Sequence, residues 1–244
     1  MPKLHIYKSE KETCYAFAEW LAVLAKETLE KRDRFTILLS IADVPTLFFK
    51  ILATDFLDKI DWTRIHVFCS HEKFVFSSDE KYNFASTVKL LCDRLPIAKE
   101  NFHYIRTDIS PQESSQQYED LLRKYFADIQ NTFDLVILGM SEQGDFSSLL
   151  SSTEENLHRN EWVVPVYDEQ EDIFKVTVTV SAINAALSKA FLVTGKKKED
   201  VVQRVLKGKY EPEKYPAQLI VTNNEPVHWF LDEGAATKLI KPTA

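Results

Sequence analysis

Four short apolar runs constrain the fold of this chain more than any other feature: Arg34-Phe35-Thr36-Ile37-Leu38-Leu39-Ser40, Ile65-His66-Val67-Phe68-Cys69, Leu135-Val136-Ile137-Leu138 and Ala190-Phe191-Leu192-Val193. Each has the length of a strand, and their nearly continuous apolar character is that of strands buried on both faces. Helical spacing lies between them. Phe17, Trp20, Leu21 and Leu24 mark an amphipathic helix from Ser9 to about Arg32, and Leu47, Phe48, Ile51 and Leu52 mark the next. A further helix is expected over about Glu80 to Leu95. Ser110, Pro111 and Glu113 form the start of another, with a cap, a proline at the first position and a capping box, ahead of the stripe Tyr118, Leu121, Leu122, Tyr125, Phe126 and Ile129. Later come a strand at Lys175–Val180, a short helix around Ile183–Leu187 and a helix from about Lys198 to Leu206 with Gly208 beyond its end. The chain closes with Ala217–Val221 and a last helix from about Trp229. Leu4-His5-Ile6-Tyr7 reads as a first strand. Strands alternating with helices predict one α/β domain over 1–244: a three-layer, Rossmann-like fold with a twisted, mostly parallel sheet of about six strands or more.

Composition narrows the function classes. The hydrophobic fraction of 45% suffices for one sizeable core. A net charge of −7, with acids spread along the chain, argues against nucleic acid, which requires a basic face. Cys14, Cys69 and Cys92 have no metal-site spacing and read as reduced thiols. The start carries no signal-peptide pattern and no run approaches a membrane span, so a soluble, cytoplasmic protein without membrane partners is expected. The chain has only five glycines in 244 residues, about 2% against a usual 7% or so. Phosphate-cradling loops rely on glycine for close backbone approach and positive φ.

In a parallel sheet, ligands bind at the carboxyl ends of the strands. The loops after Ser40, Cys69, Leu138 and Val193 are therefore the candidate site. The third of these, Gly139-Met140-Ser141-Glu142-Gln143-Gly144-Asp145-Phe146-Ser147-Ser148-Leu149-Leu150, leads from a strand into a turn with two glycines and a Ser-rich helix start. Such a segment is suited to hold an anion or a reacting carbonyl. It resembles the signature of the 6-phosphogluconolactonase family, which reads roughly G-M-G-x-D-G-H-T-A-S-L-F. More distantly the chain resembles glucosamine-6-phosphate deaminases. The resemblance continues through Ile60–His66, Asn83, Pro96–Asn101, Pro165–Asp168, Val176–Thr179, Ile183–Ala186, Phe191–Gly195 and His228–Asp232.

The resemblance implies hydrolysis of 6-phospho-D-glucono-1,5-lactone to 6-phosphogluconate in the pentose phosphate pathway, with a sugar phosphate as partner and no metal or organic cofactor. It also assigns roles. Asp145 stands at the position of the family's catalytic histidine. His71-Glu72-Lys73 stands where the family has D-E-R, so His71 or Asp145 is a candidate to activate water, with Glu72 assisting. Lys73, Lys175 (at a usual arginine position) and Lys198 are candidates to hold the phosphate. Ser40, Asp43, Gly144 and Ser148 are candidates to line the substrate pocket. Ile41 and Ala42 replace two glycines of the family's phosphate loop. Structural alternatives stand beside these roles. Asp43 and Asp145 can cap their own helices, His71 can be a structural loop residue, and Lys196-Lys197-Lys198 can be a solvated helix start. The changes cluster in the loops, so a second reading is a non-catalytic relative that binds a sugar phosphate or a protein on the same scaffold.

Overall fold

The computed structural model describes residues 1–40, 44–75, 91, 94–127, 132–146, 160–169, 171–221 and 225–240. The strands are β1 (Lys3–Tyr7), β2 (Phe35–Leu39), β3 (Ile65–Cys69), β4 (His71–Lys73), β5 (Phe102–His103), β6 (Leu135–Leu138), β7 (Val163–Asp168), β8 (Ile173–Val178), β9 (Ser188–Val193) and β10 (His228–Asp232). The helices are α1 (Glu10–Leu29), α2 (Thr46–Asp55), α3 (Pro111–Tyr125), α4 (Val180–Asn184), α5 (Glu199–Lys207) and α6 (Thr237–Ile240). Seven strands form one sheet in the order β1-β10-β9-β6-β2-β3-β5, and every neighbouring pair is parallel. Strands β4, β8 and β7 form a separate antiparallel sheet.

The central strands bury both faces, and alternate residues serve two cores. Ile37, Leu39, Val67, Leu135, Ile137 and Leu192 face Phe17 and Leu21 of α1 and Phe48 and Ile51 of α2. Leu38, Phe68, Val136, Leu138, Phe191 and Val193 face the other way, onto Tyr118 and Leu122 of α3, Val202 of α5 and the β7–β8 strands. This period-2 division is why the runs carry apolar residues at every position. The buried stripe of α1 is Cys14, Phe17, Leu21 and Ala25, with Trp20 and Leu24 on its flanks. At the start of α3, the Ser110 hydroxyl accepts the Glu113 N–H at 3.2 Å, and the Glu113 carboxylate accepts the Ser110 N–H at 3.2 Å. Pro111 occupies the first helical position, where no N–H is required.

Several expectations change. The helix expected from Trp229 is preceded by strand β10, and α6 starts only at Thr237. All of His228–Asp232 is buried, because β10 lies between β1 and β9. The Ala217–Val221 region is a short 3₁₀ turn over Pro216–Leu219, opened by a proline that cannot donate to a ladder. The helix expected at Ile183–Leu187 runs earlier, because the Thr179 hydroxyl accepts the Ala182 N–H and starts α4 at Val180. The helix expected over Glu80–Leu95 lies, apart from its last residues, outside the described residues, as does Asn83. Among the described residues no helix is long and apolar enough to cross a membrane.

Candidate active site

Because β9, β6, β2 and β3 are adjacent and parallel, the loops that leave them open on one edge of the sheet. Ser40 follows β2 at the centre of that edge. Its backbone N–H donates to the Ile137 carbonyl at 3.0 Å, and the Ser70 N–H donates to the Leu39 carbonyl at 3.2 Å, so three of the loops start in register. The Ser40 side chain is fully buried, and among the described residues its hydroxyl has no hydrogen-bond partner. Buried hydroxyls without partners are uncommon, because each forfeits the hydration it had in the unfolded chain.

The loop after β6 is a tight turn organised by Ser141. Its hydroxyl accepts the N–H groups of Gln143 and Asp145 at 3.1 and 3.2 Å, and its own N–H donates to the Asp145 carbonyl at 2.9 Å. Gly144 takes φ +90°, and a Cβ there would lie 2.9 Å from Val201 Cγ2 and 3.1 Å from the Tyr215 ring. The turn is thus seated against α5, and it holds Asp145 half-buried between buried Gly144 and buried Phe146.

The loop after β9 meets it from the other side. Gly195 has φ +99°, and its N–H donates to both carboxylate oxygens of Asp232 at 3.0 Å. Asp232 also accepts the Ala235 N–H at 2.7 Å, tying β10 to this turn. Lys198 is the residue before α5, half-buried, while Lys196 and Lys197 are exposed. Lys197 Nζ lies 3.9 Å from Glu142, so the two loops touch across the edge.

The loop after β3 becomes strand β4, which pairs with β8 so that His71 faces Thr177, Glu72 faces Val176 and Lys73 faces Lys175. This pairing brings four of the expected residues together. His71 is buried, and its Nδ1 lies 2.9 Å from the Ser70 hydroxyl. Burial first, then the positive charges of Lys175 and Lys73, push the imidazole down to about 3. Such a group is neutral near pH 7 and a weak base. Glu72 is fully buried, and one of its carboxylate oxygens accepts the Lys73 N–H at 2.9 Å.

The two lysines of this strand pair carry partners that residue-type reasoning missed. Lys175 Nζ is buried and donates to Asp168 at 2.5 Å and to Glu171 at 3.0 Å. Lys73 Nζ donates to the other oxygen of Glu171 at 2.6 Å. Asp168 also accepts the Glu171 N–H at 3.2 Å. The signal was the hairpin itself: two strands flanking a short polar turn place residues 168, 171 and 175 at one end. Asp43 and Ser148 lie outside the described residues. The arrangement offers a carboxylate on one loop, cations on two others and an unpartnered hydroxyl between them.

Comparison with known proteins gives consistent matches. A family model described as glucosamine-6-phosphate isomerases/6-phosphogluconolactonase matches residues 8–229. A 6-phosphogluconolactonase of Aggregatibacter actinomycetemcomitans is 31% identical over 202 residues, covering 82% of this chain and 86% of the relative. A crystal structure of 6-phosphogluconolactonase from Thermotoga maritima is similar with a TM-score of 0.81 at 27% identity, over 95% of this chain and 100% of that one. A monomeric glucosamine-6-phosphate deaminase shares the fold with a TM-score of 0.81 at 16% identity, over 96% of this chain and 99% of that one.

Proposed function

The chain belongs to the glucosamine-6-phosphate isomerase/6-phosphogluconolactonase family, and on that premise we propose that it hydrolyses 6-phospho-D-glucono-1,5-lactone to 6-phosphogluconate. The observation that carries the proposal is the buried, unpartnered Ser40 hydroxyl at the carboxyl end of the central strand, with cationic loops beside it. In this reading Asp145 takes a proton from water as the oxygen adds to the lactone carbonyl. The tetrahedral adduct then collapses, the ring C–O bond breaks and the proton returns to the departing ring oxygen. His71 is buried and lies against the Ser70 hydroxyl, so in this reading it and Glu72 shape the wall of the site. Lys198 with Lys73 and Lys175 holds the phosphate, and Ser40, Gly144, Asp43 and Ser148 line the pocket. Residues 1–244 act as one domain, in the cytoplasm, on a small anionic substrate with no nucleic acid or membrane partner.

Freshly generated 6-phosphogluconolactone tests the proposal directly. The purified protein should accelerate ring opening over the spontaneous rate, and Asp145→Ala should lower kcat by about a hundredfold or more. Hydrolysis at the spontaneous rate would overturn it.

A second reading, a catalytically impaired family member that binds a sugar phosphate or a protein partner, is favoured by the ion pairs themselves: Lys73 and Lys175, the lysines expected to hold substrate phosphate, are already engaged by carboxylates. Saturable 6-phosphogluconate binding without lactone hydrolysis is its expected signature.

A further inference from the structure

Glu171 places one carboxylate oxygen on Lys73 at 2.6 Å and the other on Lys175 at 3.0 Å. A bidentate anion across two ammonium groups is the geometry that a phosphate would adopt there. The carboxylate is held on the lysines by its own hairpin. Asp168, nearly fully buried, accepts the Glu171 N–H with one oxygen and Lys175 with the other, and Tyr167 closes the turn onto Asp172. Glu171 itself keeps 37% of its side chain exposed, against 22% for Lys73 and 4% for Lys175. It can therefore leave toward solvent while the lysines stay. Over Lys73, Lys175, Asp168 and Glu171 the charges sum to zero; the departure of Glu171 leaves the two lysines of this set with Asp168.

We propose that Glu171 is a built-in competitor for the anion position between Lys73 and Lys175, so that a phosphate group enters this position only by expelling it. The proposal rests on the reading of Lys73 and Lys175 as phosphate-holding lysines. It adds a residue that sets the affinity threshold for any anion at this position, because each must first expel the same carboxylate.

Inorganic phosphate and acetate, titrated calorimetrically into the full chain, test this without reference to turnover. Glu171→Gln should bind phosphate about tenfold more tightly than the native chain, the scale of removing one competing charge, and the gain should shrink as salt is raised. Glu171→Gln should raise the affinity for acetate by a similar factor, since both anions displace the same carboxylate. Adding Lys73→Met to Glu171→Gln should abolish the gain. Glu171→Asp, too short to span both lysines, provides an intermediate gain and a second variant should the first unfold. Unchanged or weaker phosphate binding in Glu171→Gln, or a gain that survives Lys73→Met, overturns the proposal. A gain in phosphate affinity without lactone hydrolysis leaves this inference standing while the proposed reaction falls. Hydrolysis with no gain does the reverse.

Discussion

At Gly144 a single hydrogen in place of a methyl group decides whether the loop after β6 can sit on α5. Its φ of +90° disfavours any L side chain, and an added Cβ would come within 2.9 Å of Val201. Gly144→Ala is expected to destabilise the protein by roughly 1–3 kcal/mol, through strain and the local displacement needed to relieve the contact. Urea unfolding midpoints measure this, and an unchanged midpoint would show that the turn does not hold the conformation described. Asp232 makes the matching contribution on the neighbouring loop, where its carboxylate fixes the Gly195 and Ala235 N–H groups. Asp232→Ala should loosen the Lys198 turn, seen as faster amide exchange at Gly195 and weaker phosphate binding. Retained slow exchange at Gly195 would contradict that role.

Among the elements, the β7–β8 hairpin has the highest stakes, because it buries an ion pair. Asp168 and Lys175 are both nearly inaccessible, so removing one unbalances a buried charge: without Asp168, Lys175 keeps only the more exposed Glu171. Asp168→Asn is expected to cost about 3–5 kcal/mol, whereas the double replacement Asp168→Leu with Lys175→Met should be far milder. Equal losses in the single and double variants would argue against a paired, buried charge. This hairpin also marks where the sequence was hardest to read. Lys175 resembles a ligand-holding lysine by residue type, and only the pairing of β7 with β8 brings a residue seven positions earlier back to neutralise it. The β10 segment is ambiguous for a related reason: three apolar residues, Trp229-Phe230-Leu231, fit a strand or a helix start equally well until their neighbours are known. Where the physics is local, the sequence was clear. The Ser110 capping box, the two-face apolar runs of β2, β3 and β6, and the positions of the four loops all follow from interactions within a few residues. The roles inside those loops depend on contacts between distant segments, such as Glu171 on Lys73.

The whole molecule carries a pH dependence set by its histidines. His5 and His228 pair across β1 and β10 with nitrogens 3.1 Å apart, and His66 and His103 pair across β3 and β5 at 3.4 Å. Burial, then the neighbouring imidazole, pushes His228 and His103 down to about 4, and burial pushes His71 down to about 3. Below the ordinary value of 6.5 the unfolded chain takes up protons that the native state refuses. Stability is therefore highest above that value and falls as pH drops from 6.5 toward 4, with the His71 contribution continuing toward 3. Thermal unfolding followed between roughly pH 7 and pH 4 should show a declining midpoint. His103→Phe should flatten that decline; an identical slope in the variant would assign the acid sensitivity elsewhere.

The pairing of β1 with β10 also has a consequence in time. His5 and His228 are 223 positions apart, yet they lie on adjacent strands of one sheet edge. On a ribosome adding about 5–20 residues per second, the first strand waits roughly 10–45 s for its neighbour to emerge. Through that interval α1 must keep Phe17, which finally stacks edge-on against Phe230, out of contact with other nascent chains. His5 is thus made 223 positions ahead of the histidine it meets, and this edge of the sheet closes only once β10 has been made.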